Sequence, residues 1–208
     1  MLESSFTILT PTTKIIINTK ATFVDRANLI EYENPLLFST LCKEGCPNYE
    51  KKWACPPYSP TFSRYSIDYS RAILVVFYCY LDQFYYTKTE YMRIKASNSI
   101  LKSRMDKFMR SLEEQVGGKM ISNGSCRLCK PCTLKGGTIS RCKKPDQMRF
   151  SMEALGLDVG GISRDYLKHD LLWYKDKKAP LYSSVVSALI TNMQIDQNGF
   201  TSLFTMGL

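Results

Sequence analysis

The chain has 208 residues, a formal net charge of +9, 44% hydrophobic residues and 23% charged ones. That length suits one large domain or two small ones, and such a core folds without disulfide staples, so the eight cysteines are free for other work. The opening MLESSFTILTPTTK holds no apolar stretch of signal-peptide length, and AILVVFYCYL at 72–81 is half of what a membrane-spanning helix needs. The expectation is a cytoplasmic chain without a membrane partner, in which reduced thiols serve metal binding or catalysis.

In chain order, TKIIINTKATFV at 13–24 is rich in β-branched residues and predicts a strand or a hairpin. Residues 34–60 open with a short helical turn and then break into loop, because Pro47, Pro56, Pro57 and Pro60 exclude a continuous helix or a central strand. A short helix is expected over 61–69. The run from Arg71 to Leu81 is apolar on both faces and predicts a buried central strand, with Cys79 in the core.

A long helix is expected from Thr87 to Val116. Leu101, Met105, Phe108, Leu112 and Val116 form one apolar stripe, and Gly117 and Gly118 end it. Its other face is basic, with Lys102, Arg104, Lys107 and Arg110 outnumbering the acids; a solvated face and a face for an anionic partner both fit. A short strand is expected at 119–123. DQMRFSMEALGLDV at 146–159 predicts a helix stopped by Gly156, and a further helix is expected at 162–169. His169, the only histidine, falls at that helix end, where a solvated side chain is expected. LLWY and LYSSVVSALIT predict two closing strands. The fold class is therefore α/β or α+β: a single domain over 1–208 with a mixed sheet flanked by helices and two cysteine-rich metal-binding loops, at about 42–58 and 126–145.

The second loop, CRLCKPCTLKGGTISRCKKP, has spacing C-x2-C-x2-C-x9-C. Cysteines at every third residue can place three sulfurs round one face of a cubane, as in ferredoxins. Cys126, Cys129 and Cys132 supply that run, Cys142 is the candidate fourth ligand, and Gly136 and Gly137 let the loop fold back. Tetrahedral zinc more often takes two separated C-x2-C pairs and is the alternative metal. The first loop holds Cys42, Cys46 and Cys55 in CKEGCPNYEKKWACPP, where Trp53 could shield a cluster from water. Three ligands would leave one iron open for Lewis-acid chemistry, unless Cys142 crosses over to this set. Seven thiolates around two 4Fe–4S cores would lower the net charge to about +6.

Phosphate-binding G-x4-G-K-[ST] and dinucleotide-binding G-x-G-x-x-G motifs are absent, and the radical S-adenosylmethionine spacing C-x3-C-x2-C fails because eight residues separate Cys46 from Cys55. CPNYEKKWACPPYSP at 46–60, CRLCKPC at 126–132, CKKP at 142–145 and RFSMEALGLDV at 149–159 together resemble the family of small prokaryotic predicted metal-binding proteins, domain of unknown function 2284. The resemblance covers roughly residues 40–190 and implies metal binding by Cys42, Cys46, Cys55, Cys126, Cys129, Cys132 and Cys142.

The functional expectation is an iron–sulfur protein with two 4Fe–4S clusters, doing redox, sulfur or Lewis-acid chemistry at an open iron. It would act with a redox partner or a small anionic substrate. The alternatives are a ferredoxin-like electron carrier and a zinc-stabilised module that binds nucleic acid or another anionic partner.

Overall fold

The computed structural model describes residues 1–134, 141–194 and 201–202. The turn expected at Gly136 and Gly137 lies outside the described residues. In chain order the strands are β1 (Leu2–Leu9), β2 (Lys14–Asp25), β3 (Arg71–Tyr80), β4 (Lys119–Ile121) and β5 (Tyr182–Thr191). The helices are α1 (Arg26–Ile30), α2 (Pro35–Gly45), α3 (Phe62–Tyr65), α4 (Glu90–Val116) and α5 (Val159–Leu167).

The strands form one sheet in the order β1-β2-β3-β5-β4. Every ladder is antiparallel, which selects the α+β alternative. The β1–β2 turn is closed by Thr10, whose hydroxyl donates to the Thr13 carbonyl at 2.7 Å and accepts from the Thr13 N–H at 3.0 Å. β3 lies at the centre, and its side chains alternate between two apolar layers. Ile73, Val75, Phe77 and Cys79 face a layer built with Leu101, Met105, Phe108 and Leu112 of α4. Ala72, Leu74 and Val76 face the other layer, with Leu29, Phe62, Ile162 and Leu167. Burial on both faces is why β3 reads as an unbroken apolar run. Cys79 is fully buried there, as expected.

α4 begins three residues later than the sequence suggests, because the Thr89 hydroxyl caps it by accepting from the Met92 N–H at 3.2 Å. Gly117 and Gly118 end it at φ +74° and +104°, and a Cβ on Gly118 would overlap the Ile190 carbonyl of β5. That close approach lets β4 pair with β5 directly after the helix.

Several expectations are corrected. Of the two alternatives for 13–24 the structure takes the strand, β2, whose hairpin partner is β1. The helical turn after residue 34 is an eleven-residue helix. α5 starts earlier, at Val159, because the Asp158 carboxylate caps it by accepting from the Gly161 N–H at 3.0 Å. The helix expected over 146–159 shrinks to a 3-10 turn at Glu153–Leu155. Here tertiary pairing overrides the helical pattern: the Phe150 carbonyl accepts from the Ser122 N–H at 2.7 Å, and Ser151 bridges to Ser122 beside β4. LLWY is not a strand. Trp173 is 74% exposed and its neighbours find no ladder partner among the described residues.

Candidate metal centre

α2 carries the first candidate ligand. Asn34 caps it, its side chain accepting from the Leu37 N–H at 3.1 Å, and Pro35 takes the first helical position. The helix is seated by the Asn34 N–H, which donates to the Gly156 carbonyl at 2.7 Å. Cys42 lies in its last turn, and Cys46 ends it by donating its N–H to the Cys42 carbonyl at 3.0 Å. Tight turns then bring the chain back to Cys55: the Cys55 N–H donates to the Lys52 carbonyl at 3.0 Å and the Glu50 N–H to the Pro56 carbonyl at 3.1 Å. Ser59 fastens the exit, donating to the Ala154 carbonyl at 2.6 Å.

Cys42, Cys46 and Cys55 line one cavity of about 710 Å³. Lys102 of α4, Arg127, Glu153 and Asp158 supply its charges, and Phe38, Leu41, Leu171 and Trp173 an apolar wall. That size suits a small-molecule site.

The second group follows β4. Cys126, Cys129, Cys132 and Cys142 line a separate, much smaller pocket with Trp53, Ala54, Leu128 and Met148. Cys142 therefore stands with the 126–132 run and not with Cys42, Cys46 and Cys55. Two bonds hold it there: Thr133 donates its hydroxyl to the Arg141 carbonyl at 3.0 Å, and the Lys144 N–H donates to the Cys142 Sγ at 3.4 Å. The two groups adjoin, since Lys52 of the first loop donates to the Cys126 carbonyl at 2.8 Å.

All eight cysteines are free thiols. Burial, then the neighbouring Cys46, pushes the Cys55 thiol up to about 11, with Lys52 working against them. Burial, then Cys46, also raises Cys42. Cys126 is raised chiefly by burial, opposed by an N–H bond from Leu128, with Cys142 and Cys132 adding to the rise. Crowded thiolates repel one another, and a cationic metal core would reverse that balance. Among the described residues no three His, Cys, Asp or Glu side chains are gathered tightly enough to hold a single metal ion. Four thiols are the soft donors of the smaller pocket, a set that iron–sulfur cores and structural zinc both take.

Cys79 lines neither pocket, and burial pushes its thiol up to about 12. His169 departs from its expected solvated position. It is 6% exposed, packed against Tyr78 and Tyr182 with ring centroids at 4.5 and 5.0 Å, and its Nε2 bonds the Ser184 hydroxyl at 2.7 Å. Its place past α5 suggested solvent, but the aromatic side chains of β3 and β5 fold over it.

A family model described as predicted metal-binding protein (DUF2284) matches residues 26–188. The chain belongs to this family. The DUF2284 match runs from α1 into β5 and so contains both cysteine groups and the cavity lined by Cys42, Cys46 and Cys55. No curated protein and no solved structure matches the chain.

Sequence reasoning missed three parts of this candidate site. Asp158 was detectable as a cap residue ahead of VGGIS. The Asn123–Ser125 loop and the apolar wall at Leu171 and Trp173 carry no local signal, because only the tertiary fold brings them beside Cys42. No helix among the described residues is long and apolar enough to cross a membrane.

Proposed function

We propose that this metal-binding protein is an iron–sulfur protein with two 4Fe–4S clusters, the whole chain acting as one metal-binding domain. Cys126, Cys129, Cys132 and Cys142 would hold one cluster with four thiolates. Cys42, Cys46 and Cys55 would hold the other and leave one iron without a cysteine ligand. The observation that supports this reading is the partition of the thiols: four round a small pocket, three on the wall of a cavity of about 710 Å³. When bound, the three-thiolate cluster supplies a Lewis-acidic iron and the four-thiolate cluster an electron.

The chain's own residues prepare the cavity for a small anionic substrate. Lys102 and Arg127 attract it, and Phe38, Leu41, Leu171 and Trp173 offer an apolar surface to its uncharged part. Lys52, whose ammonium group lies at the Cys126 carbonyl, offsets thiolate charge where the two groups adjoin. Seven ligand thiols need a reducing compartment, so the reading places the protein in the cytoplasm. A pure electron carrier has no use for a cavity of ligand size beside its cysteines, which favours chemistry at the three-thiol group.

The test is metal and sulfide analysis of protein purified without oxygen. A brown protein absorbing near about 400 nm, with about eight irons and eight labile sulfides, is the expected result. A colourless protein with stoichiometric zinc overturns the proposal.

A further inference from the structure

A groove of about 300 Å³ adjoins the three-thiol cavity and shares a wall with it: Lys102, Asn123, Gly124, Ser125 and Arg127 line both. α4 forms the opposite side with Asp106, Lys107 and Arg110, residues that helical spacing sets on neighbouring positions of the face holding Lys102. Arg149 closes the end.

Two of these cations are already paired. Arg110 bonds Asp106 at 3.1 Å, and Arg149 bonds Glu113 at 2.7 Å. Lys102, Lys107 and Arg127 have no carboxylate partner among the described residues. The loop between them keeps its N–H groups unused, although the Gly124 carbonyl accepts from the Ser122 hydroxyl at 2.7 Å. The N–H groups of Asn123, Gly124 and Ser125 meet no protein acceptor among the described residues. Within 4 Å of where a Cβ on Gly124 would be, the one neighbour among the described residues is the Lys102 ammonium, at 3.9 Å.

Unpaired cations round a short run of free N–H groups make a cradle for a tetrahedral oxyanion. We propose that this groove holds the phosphate group of a small phosphorylated substrate, whose uncharged end lies in the three-thiol cavity; the second half of the statement rests on the function proposed above. A carboxylate offers two oxygens and one charge, fewer than three cations and the loop can engage. A nucleic-acid strand would need aromatic side chains for base stacking, and none lines the groove.

Calorimetric titration of the full chain with inorganic pyrophosphate tests the groove. One saturable site is expected, weakened at least about tenfold when Lys102→Ala and Arg127→Ala are combined. Arg104→Ala removes a cation of the same helix that lines a different pocket, beside Phe6 and Phe77, and should change affinity less than about twofold. Absence of saturable binding, or an equal loss in Arg104→Ala, overturns the proposal. So does a single-stranded oligonucleotide that displaces pyrophosphate with a salt dependence of several phosphates. Iron and sulfide are measured on the same samples. Pyrophosphate binding by protein that carries zinc instead of iron would uphold the groove and sink the cluster reading alone.

Discussion

Trp53 Nε1 donates to the Thr133 hydroxyl at 3.0 Å, and this bond joins the two cysteine segments across 80 residues of chain. One residue earlier, Lys52 Nζ donates to the Ser125 hydroxyl at 2.9 Å and to the Cys126 carbonyl at 2.8 Å. The indole also packs edge-on against Tyr58, with ring centroids 5.3 Å apart. The three-thiol and four-thiol groups therefore share a seam, and displacing one loop strains the other.

Cutting that seam should be measurable. Trp53→Phe keeps a ring but loses the N–H, leaving Thr133 without its donor. A loss of about 1 kcal/mol in urea unfolding is expected. Trp53→Ala also removes the ring from the pocket of Cys126, Cys129, Cys132 and Cys142. In that variant the absorbance near about 400 nm should bleach faster in air than in the parent protein. Equal bleaching rates would show that the indole does not shield that group.

Cysteine substitutions should separate the two groups. If the proposed four-thiolate cluster is held as assigned, Cys142→Ala removes its paramagnetic signal on reduction and lowers iron content by about half. Cys42→Ala should remove the other signal. Cys79→Ala should keep the full iron content, since this residue lies in the core on β3. Unchanged spectra in Cys142→Ala would refute the ligand assignment.

His169 predicts the acid limit of stability. Burial, then Lys20, lowers its imidazole from the ordinary 6.5 to about 4, with Asp170 pulling the other way. The folded protein thus favours neutral imidazole, while the unfolded chain binds a proton below 6.5. The resulting stability is present in full above pH 6.5 and is lost as pH falls toward about 4. The drop from 6.5 to about 4 corresponds to on the order of 3 kcal/mol. His169→Phe should flatten that part of the curve in urea unfolding measured from pH 7 to pH 4. An unaltered slope would assign the acid sensitivity to other groups.

Gly156 predicts how firmly Cys42 is held. Its φ is +85°, and a Cβ there would stand 2.9 Å from Pro35 Cα at the start of α2. Gly156→Ala should destabilise the fold by about 1–3 kcal/mol and loosen the helix that carries Cys42. Iron at the three-thiol group should fall with it. Gly160→Ala is the control. A Cβ there meets only Asp158 Oδ1 at 3.4 Å, and stability should hold within about 0.5 kcal/mol or rise.

The parts legible in the sequence were those written in local pattern. The apolar stripe of α4 and the unbroken run of β3 each record burial by nearby partners, so periodicity found both. The segment 146–159 misled because its apolar spacing looks helical, while Phe150 and Ser151 are held extended by bonds to Ser122. His169 misled for the same kind of reason. Its environment is made by Tyr78 and Tyr182, residues distant in the chain.

By itself the sequence determined the donor chemistry. Seven cysteines in two spaced sets, in a chain long enough to fold without disulfides, offer soft thiol donors at fixed local spacing, and that much is written in the covalent chain. Only the tertiary structure decided how those thiols are divided. The place of Cys142 depends on how Thr133 and Lys144 hold its loop, bonds that no spacing rule encodes. The three-thiol cavity depends on α2, α4, the Asn123–Ser125 loop and the start of α5 meeting at one edge. Packing brings those four stretches together, and packing is a property of the whole chain.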